Sequence, residues 1–189
     1  MKKKPSRRLA VFATIVALLS APTSARSEDD TYEEGTIFDI ASDFFGGSTE
    51  ALGKVIQKVF GDLGEPNAYI AGEEVSAALI LGVRCGDGNL THKTLGERRV
   101  YWKGPSIGFD ACGNASKNFT LVYHLKDLDK IYQRFPGGDG SLYYIGGISV
   151  NYQQRGDMIL APIRLGVGLR AGVNVDYLHY SKGRSWIPF

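Results

Sequence analysis

The stretch Ile163 to Tyr177 separates cleanly by parity. Odd positions carry Ile163, Leu165, Val167, Leu169, Ala171, Val173, Val175 and Tyr177. Even positions carry Arg164, Gly166, Gly168, Arg170, Gly172, Asn174 and Asp176. A period of two over fifteen residues marks a β-strand with one apolar, buried face. The spacing Gly166-x-Gly168-x-x-x-Gly172 is close to a dinucleotide-binding loop. That loop needs a strand before the glycines and a helix after them. Here the strand pattern runs through the glycines, and the following VNVDYLHY is β-branched and aromatic. The nucleotide reading is set aside on that ground. A strand this long must bend, since strands seldom exceed about ten residues. Glycines along one side permit the coiling of a barrel corner, and Gly146-Gly147 is read the same way.

The same period recurs from residue 67 onward. Val75, Ala77, Leu79, Leu81 and Val83 share one face. Ile107, Phe109 and Ala111 alternate, as do Phe119, Leu121, Tyr123 and Leu125. Turn signals fall at GDGN (86–89), GNASKN (113–118), PGGDG (136–140) and QRGD (154–157). The N-x-[ST] matches at Asn89, Asn114 and Asn118 are read as turn markers, and RGD (155–157) as a hairpin turn. One helix stands out before the strands. Across residues 48–63 Leu52, Val55, Ile56, Val59, Phe60 and Leu63 recur at helical steps, Ser48 or Thr49 can cap, and Gly64 and Pro66 stop it. A core-covering helix is the reading. KDLDKIYQRF (126–135) predicts a short second helix, and Phe38, Phe44 and Phe45 in 37–47 are expected to dock on the body. Many short strands with one apolar face predict a mainly β fold: a small closed antiparallel barrel of about eight strands. A two-sheet sandwich is the other candidate.

The first residues set the compartment. MKKKPSRR is charged, Leu9 to Leu19 is an apolar run of eleven, and Thr23 and Ala25 suit a cut before Arg26. This is the pattern of a secretory signal peptide over 1–25, too short for a membrane span. No cysteine follows the cleavage region to carry a lipid. Losing five basic residues and no acid leaves 17 basic against 20 acidic residues. The basic balance thus belongs to the precursor, and nothing general favours nucleic acid. Residues 26–36, RSEDDTYEEGT, read as an acidic flexible leader, and 37–189 as a single barrel domain. Cys85 and Cys112 are a candidate disulfide, permitted by export; two unpaired thiols are the equal alternative.

No reaction signature appears: there is no G-x-S-x-G, H-E-x-x-H or P-loop. His92, His124 and His179 are scattered and none stands at ligand spacing from a cysteine. No catalytic residue, cofactor or metal is expected. VYWKGPSIGFD (100–110) is the most distinctive segment. Trp102, Gly104, Pro105 and Phe109 suit a barrel mouth, where apolar surface with polar tips receives a lipid or sugar. Against that stands a plainer reading, with Trp102 and Phe109 in the core and Gly104-Pro105 as a turn between strands.

GDGNL, VYWKGPSIGFD, LVYHL, IYQRFPGGDGSLYYIGG, APIRLGVGLRAGVNVDYLHY and SWIPF together resemble the alphaproteobacterial family of the periplasmic envelope integrity protein EipA. The resemblance covers about residues 35–189. It implies a soluble periplasmic β-barrel that maintains the cell envelope under stress, with ties to the lipopolysaccharide O-antigen. It implies no catalytic residues. GDGNL with W-x-G-P is also similar to the SYLF lipid-binding domain. The expected function is therefore non-enzymatic, with a lipid or lipopolysaccharide-related ligand, peripheral membrane contact and no nucleic acid. A small outer-membrane barrel is the alternative, since a lipid-facing band also alternates.

Overall fold

The computed structural model describes residues 30–110, 115–165 and 177–184, with 76–82, 106–110, 115 and 138–142 described by backbone alone. The signal peptide, most of the leader before Thr31, Cys112 and the glycines at 166, 168 and 172 lie outside the described residues. Two helices come first, α1 (Glu34–Phe45) and α2 (Glu50–Leu63). Among the described residues seven strands follow: β1 (Ala68–His92), β2 (Gly96–Asp110), β3 (Ala115–Tyr123), β4 (Arg134–Ile145), β5 (Ile148–Arg155), β6 (Met158–Leu165) and β7 (Tyr177–Ser181). They close into an antiparallel barrel in the order β1-β2-β7-β4-β5-β6-β3, and β3 returns to β1. The expected closed barrel is the observed fold.

One strand does the work of two. Residues 68–75 of β1 pair with β3, and residues 78–92 pair with β2. The strand must therefore coil sharply, and its even-numbered glycines show where. A Cβ on Gly72 would lie 2.7 Å from Gly88 Cα and 2.8 Å from the Trp102 ring. A Cβ on Gly88 would lie 2.8 Å from Gly72 Cα, and one on Gly86 would enter the Trp102 indole. Backbone touches backbone here, so no side chain fits. This corrects the reading of 86–89 as a turn. The chain reverses instead at Lys93–Leu95.

Barrel closure creates two cores. The interior holds Ile70, Leu90, Val100, Trp102, Val122, Leu160, Leu178 and Tyr180, and Leu125, Leu128, Ile131 and Phe135 plug one end. The second core lies outside the wall. Phe119, Leu121 and Tyr123 of β3, Ile148 and Val150 of β5, and Ala161 and Ile163 of β6 meet Ile37 and Ala41 of α1 and Leu52, Val55, Ile56 and Val59 of α2. Strands β3, β5 and β6 thus bury both faces. The α2 stripe is the one the spacing predicted, and Thr49 caps it, accepting from the Leu52 N–H at 3.1 Å. Tyr152 donates to Asp62 at 2.7 Å, and Lys58 pairs with the same carboxylate at 2.6 Å, which pins α2 to β5.

Several local expectations change. Thr31 and Tyr32 are buried and α1 begins at Glu34, so the leader's last residues belong to the body. Phe38, Phe44 and Phe45 do dock, as part of α1. The second helix shrinks to a 3-10 turn over Leu128–Ile131, because β4 takes the chain from Arg134 through PGGDG. Asn89 and Asn118 lie in strands rather than turns. Gly146-Gly147, both at positive φ, form the two-residue β4–β5 hairpin turn rather than a bend within a strand. QRGD does turn the chain.

The glycine contact predicts opposite signs for two similar changes. Gly72→Ala must push backbone from backbone and should cost about 1–3 kcal/mol. Gly61→Ala, in the exposed last turn of α2 with nothing within 4 Å of its added Cβ, should stabilise by a few tenths to about 1 kcal/mol. Urea denaturation of both variants checks the pair.

Candidate functional site

Even-numbered residues point inward on β1, yet two of them are charged. Glu74 is 4% exposed. A buried carboxylate is tolerated only when paired and hydrogen-bonded. Trp102 Nε1 donates to Glu74 Oε2 at 2.9 Å, and Asn118 Nδ2 stands 3.5 Å from the same oxygen. Arg164 Nε lies 3.3 Å from Glu74 Oε1, and Arg84 Nη1 lies 3.9 Å from it. Four strands, β1, β2, β3 and β6, thus converge on one carboxylate. Buried Thr120, Ser149, Asn151 and Gln153 continue this polar layer along the inner wall. Tyr180 lies against Trp102 with tilted rings, their centroids 6.0 Å apart, and burial raises its phenol pKa well above the usual value. The carboxylate is held by a donor and two cations, an arrangement that fixes structure and leaves no free base.

Trp102 connects this layer to the exterior. Its indole also borders a groove of about 420 Å³, lined by Val75, Cys85, Asp87, Tyr101, Lys103 and Arg184 among others. The groove's surface is mostly apolar with charges at its rim, the make-up of a small-molecule site. Asp87 accepts from Arg99 and lies 3.5 Å from Arg184, so the acid on one wall is braced from two sides. On β7, His179 is flanked across the register by Lys103 and Arg134. Burial, then those two cations, lowers its pKa, which keeps the ring neutral.

The predicted site residues divide. Trp102 is 3% exposed, a core residue that also reaches the groove. Gly104 is buried where a Cβ would strike the Tyr177 carbonyl. Gly104 and Pro105 pair in register with Arg84 and Val83, so they continue β2 and are not a turn between strands. Phe109 pairs with Leu79, and its side chain lies outside the described residues. Cys85 is exposed with a free thiol, and Cys112 lies outside the described residues. Glu74, Arg84 and Arg164 were missed. Their signal was present: each is a charge on the parity opposite to the apolar run in its strand.

The structure also shows which side of these strands faces in. Val75, Val83 and Leu165 are 46%, 39% and 37% exposed. Val75 and Val83 of β1 and Leu165 of β6 lie on the outer face, and Glu74, Arg84 and Arg164 face in. Alternation revealed the strand but not which side was the interior.

Removing the carboxylate leaves the guanidinium groups of Arg84 and Arg164 without it in the interior. Glu74→Ala should cost about 3–5 kcal/mol. Replacing Glu74 and Arg164 together by leucine should recover part of that loss. Chemical denaturation with Trp102 fluorescence as the probe measures both.

A family model described as Envelope integrity protein A matches residues 30–189. A crystal structure described as a beta-barrel-like, uncharacterized protein from Brucella abortus is similar at 39% identity and a TM-score of 0.77, covering 85% of this chain and 99% of that one. No curated protein matches the chain.

Proposed function

Because this chain belongs to the envelope integrity protein A family, we propose that it supports the cell envelope from the periplasm, without catalysis, by holding a lipid or lipopolysaccharide-related glycan. Resistance to envelope stress follows from that role. The observation that carries the reading is the groove beside Trp102: about 420 Å³, apolar at Val75 and Tyr101, with Lys103 and Arg184 at its edge. An amphipathic molecule meets both needs there, apolar contact on the floor and ionic contact at the rim. The non-enzymatic part is supported by Glu74, whose carboxylate is engaged by Trp102 and the arginines.

The outer-membrane alternative is disfavoured by a specific observation. Strands β3, β5 and β6 turn their outer faces to α1 and α2, so that part of the wall has no surface to give to lipid. Release of the protein by osmotic shock without detergent is the expected result, and retention in the outer-membrane fraction would overturn it.

Native mass spectrometry of the protein purified from its own envelope tests the ligand. We expect a bound lipid or glycan mass that Val75→Asp and Tyr101→Ala each reduce several-fold. A bare protein that also binds none of an added envelope lipid extract would refute the ligand clause and leave the family assignment standing.

A further inference from the structure

The groove continues past its own lining, from β2 on to the outer face of β7 and β4. Lys103 of β2 and Arg134 of β4 stand on either side of His179 of β7, each directly across from it in register. Lys182 and Arg184 follow where the chain leaves β7. We propose that this cationic face binds the phosphate of an anionic lipid whose apolar part lies in the groove. The proposal rests on the groove being a lipid site. It adds the charge of the headgroup and a second half of the site, His179 and Arg134.

Three observations carry it. The first is the segregation of charge. Helices α1 and α2 carry Glu34, Asp39, Asp43, Glu50 and Asp62 against Lys54 and Lys58, and they cover the outer faces of β3, β5 and β6. Strands β2 and β7 and the first residues of β4 lie outside that covered wall, and they present Arg99, Lys103 and Arg134, with Lys182 and Arg184 beyond. The acids among them are engaged: Asp87 with Arg99 and Arg184, and Asp129 with Lys182 at 3.0 Å. Glu73 lines the groove on its β1 side, and Glu97 stands beside the β1–β2 turn.

The second is that tyrosines carry these cations. The Arg134 guanidinium lies 5.8 Å from the Tyr177 ring centroid, Lys182 Nζ lies 5.1 Å from that of Tyr132, and Arg99 lies 6.0 Å from that of Tyr101. Rings of this kind, apolar in body and polar at the tip, suit the boundary between a lipid's tail and its headgroup. A free anion has no use for them.

The third is His179 itself. Burial, then Arg134 and Lys103, lower its pKa. Two strands thus aim positive charge at one point. A phosphodiester bound there opposes the repulsion, favours the protonated ring and gains a further charged donor.

Short-chain lipids below their micelle concentration provide the test. Dihexanoyl phosphatidylglycerol, dihexanoyl phosphatidylcholine and inorganic phosphate are titrated into the purified protein by calorimetry. The anionic lipid should bind at least tenfold more tightly than the zwitterionic one. Arg134→Gln, exposed and outside the groove lining, should remove most of that preference and leave phosphatidylcholine binding unchanged. Lys54→Gln on α2 should alter neither. Proton NMR should show the His179 pKa rising by about one unit in the complex, so that the anionic lipid binds about tenfold more tightly as pH falls through the His179 titration. Equal affinity for the two lipids, or a preference that survives Arg134→Gln, would overturn the proposal and leave the groove as a lipid site. Inorganic phosphate bound as tightly as the anionic lipid would also overturn it, since that assigns the face to a free anion. If neither lipid binds, the groove reading falls with it.

Discussion

The architecture turns on a contact between two residues that have no side chains. Gly72 meets Gly88 backbone to backbone within a single strand's two halves, under the Trp102 ring. This approach lets β1 pair with β3 at one end and β2 at the other. Close packing forbids even one extra carbon at such a point. The same fold in β1 brings Glu74 under the indole of Trp102, and so fixes where the interior changes from apolar to polar. It also brings the two halves of β1 to one groove, with Val75 from the first half and Cys85 and Asp87 from the second. Core, charge layer and groove are three results of one bend.

Much of the fold was readable from residue order. Period two identified strands, period 3.6 identified α2, and the absence of a helix after the glycines excluded a nucleotide loop. What failed was local chemistry overruled by closure. GDGN has the composition of a turn, but its glycines serve close approach inside a strand. PGGDG likewise became part of β4, with an irregular register between Gly137 and Leu142. Which face of the alternating rows lies inward was not legible, for a related reason. In a barrel that carries helices on part of its outer wall, apolar residues are buried on both sides of that wall. Ile163 is fully buried under the helices, while Leu165, two residues on and on the same side, is exposed. Alternation alone cannot distinguish those environments. Off-parity charges mark Glu74, Arg84 and Arg164 singly, but their meeting was not legible, because they are far apart in sequence and come together only across strands.

At the plugged end, polarity is used differently. His92 Nδ1 accepts from the Thr94 and Leu95 N–H groups at 3.1 and 3.2 Å. The proton therefore sits on Nε2, which donates to the Leu125 carbonyl at 3.0 Å. Asn67 donates to that carbonyl at 2.8 Å and accepts from the Leu125 N–H. One imidazole ties the β1–β2 turn to the segment that closes the barrel floor. His92 thus has structural work at the barrel floor.

The seam at β7 has a consequence for timing. Among the described residues β7 joins β2 through the pairs from Tyr101–Ser181 to Lys103–His179, and joins β4 through those from Arg134–His179 to Pro136–Tyr177. These partners lie far apart along the chain, so their pairing must await the rest of the wall, and the entropy of closing that long loop makes the step slow. The long β1–β2 hairpin can form early because its partners are neighbours. The seam is then the last part to assemble. Because Ser181 and Arg184 reach the groove through β7, the groove comes into being when the barrel shuts.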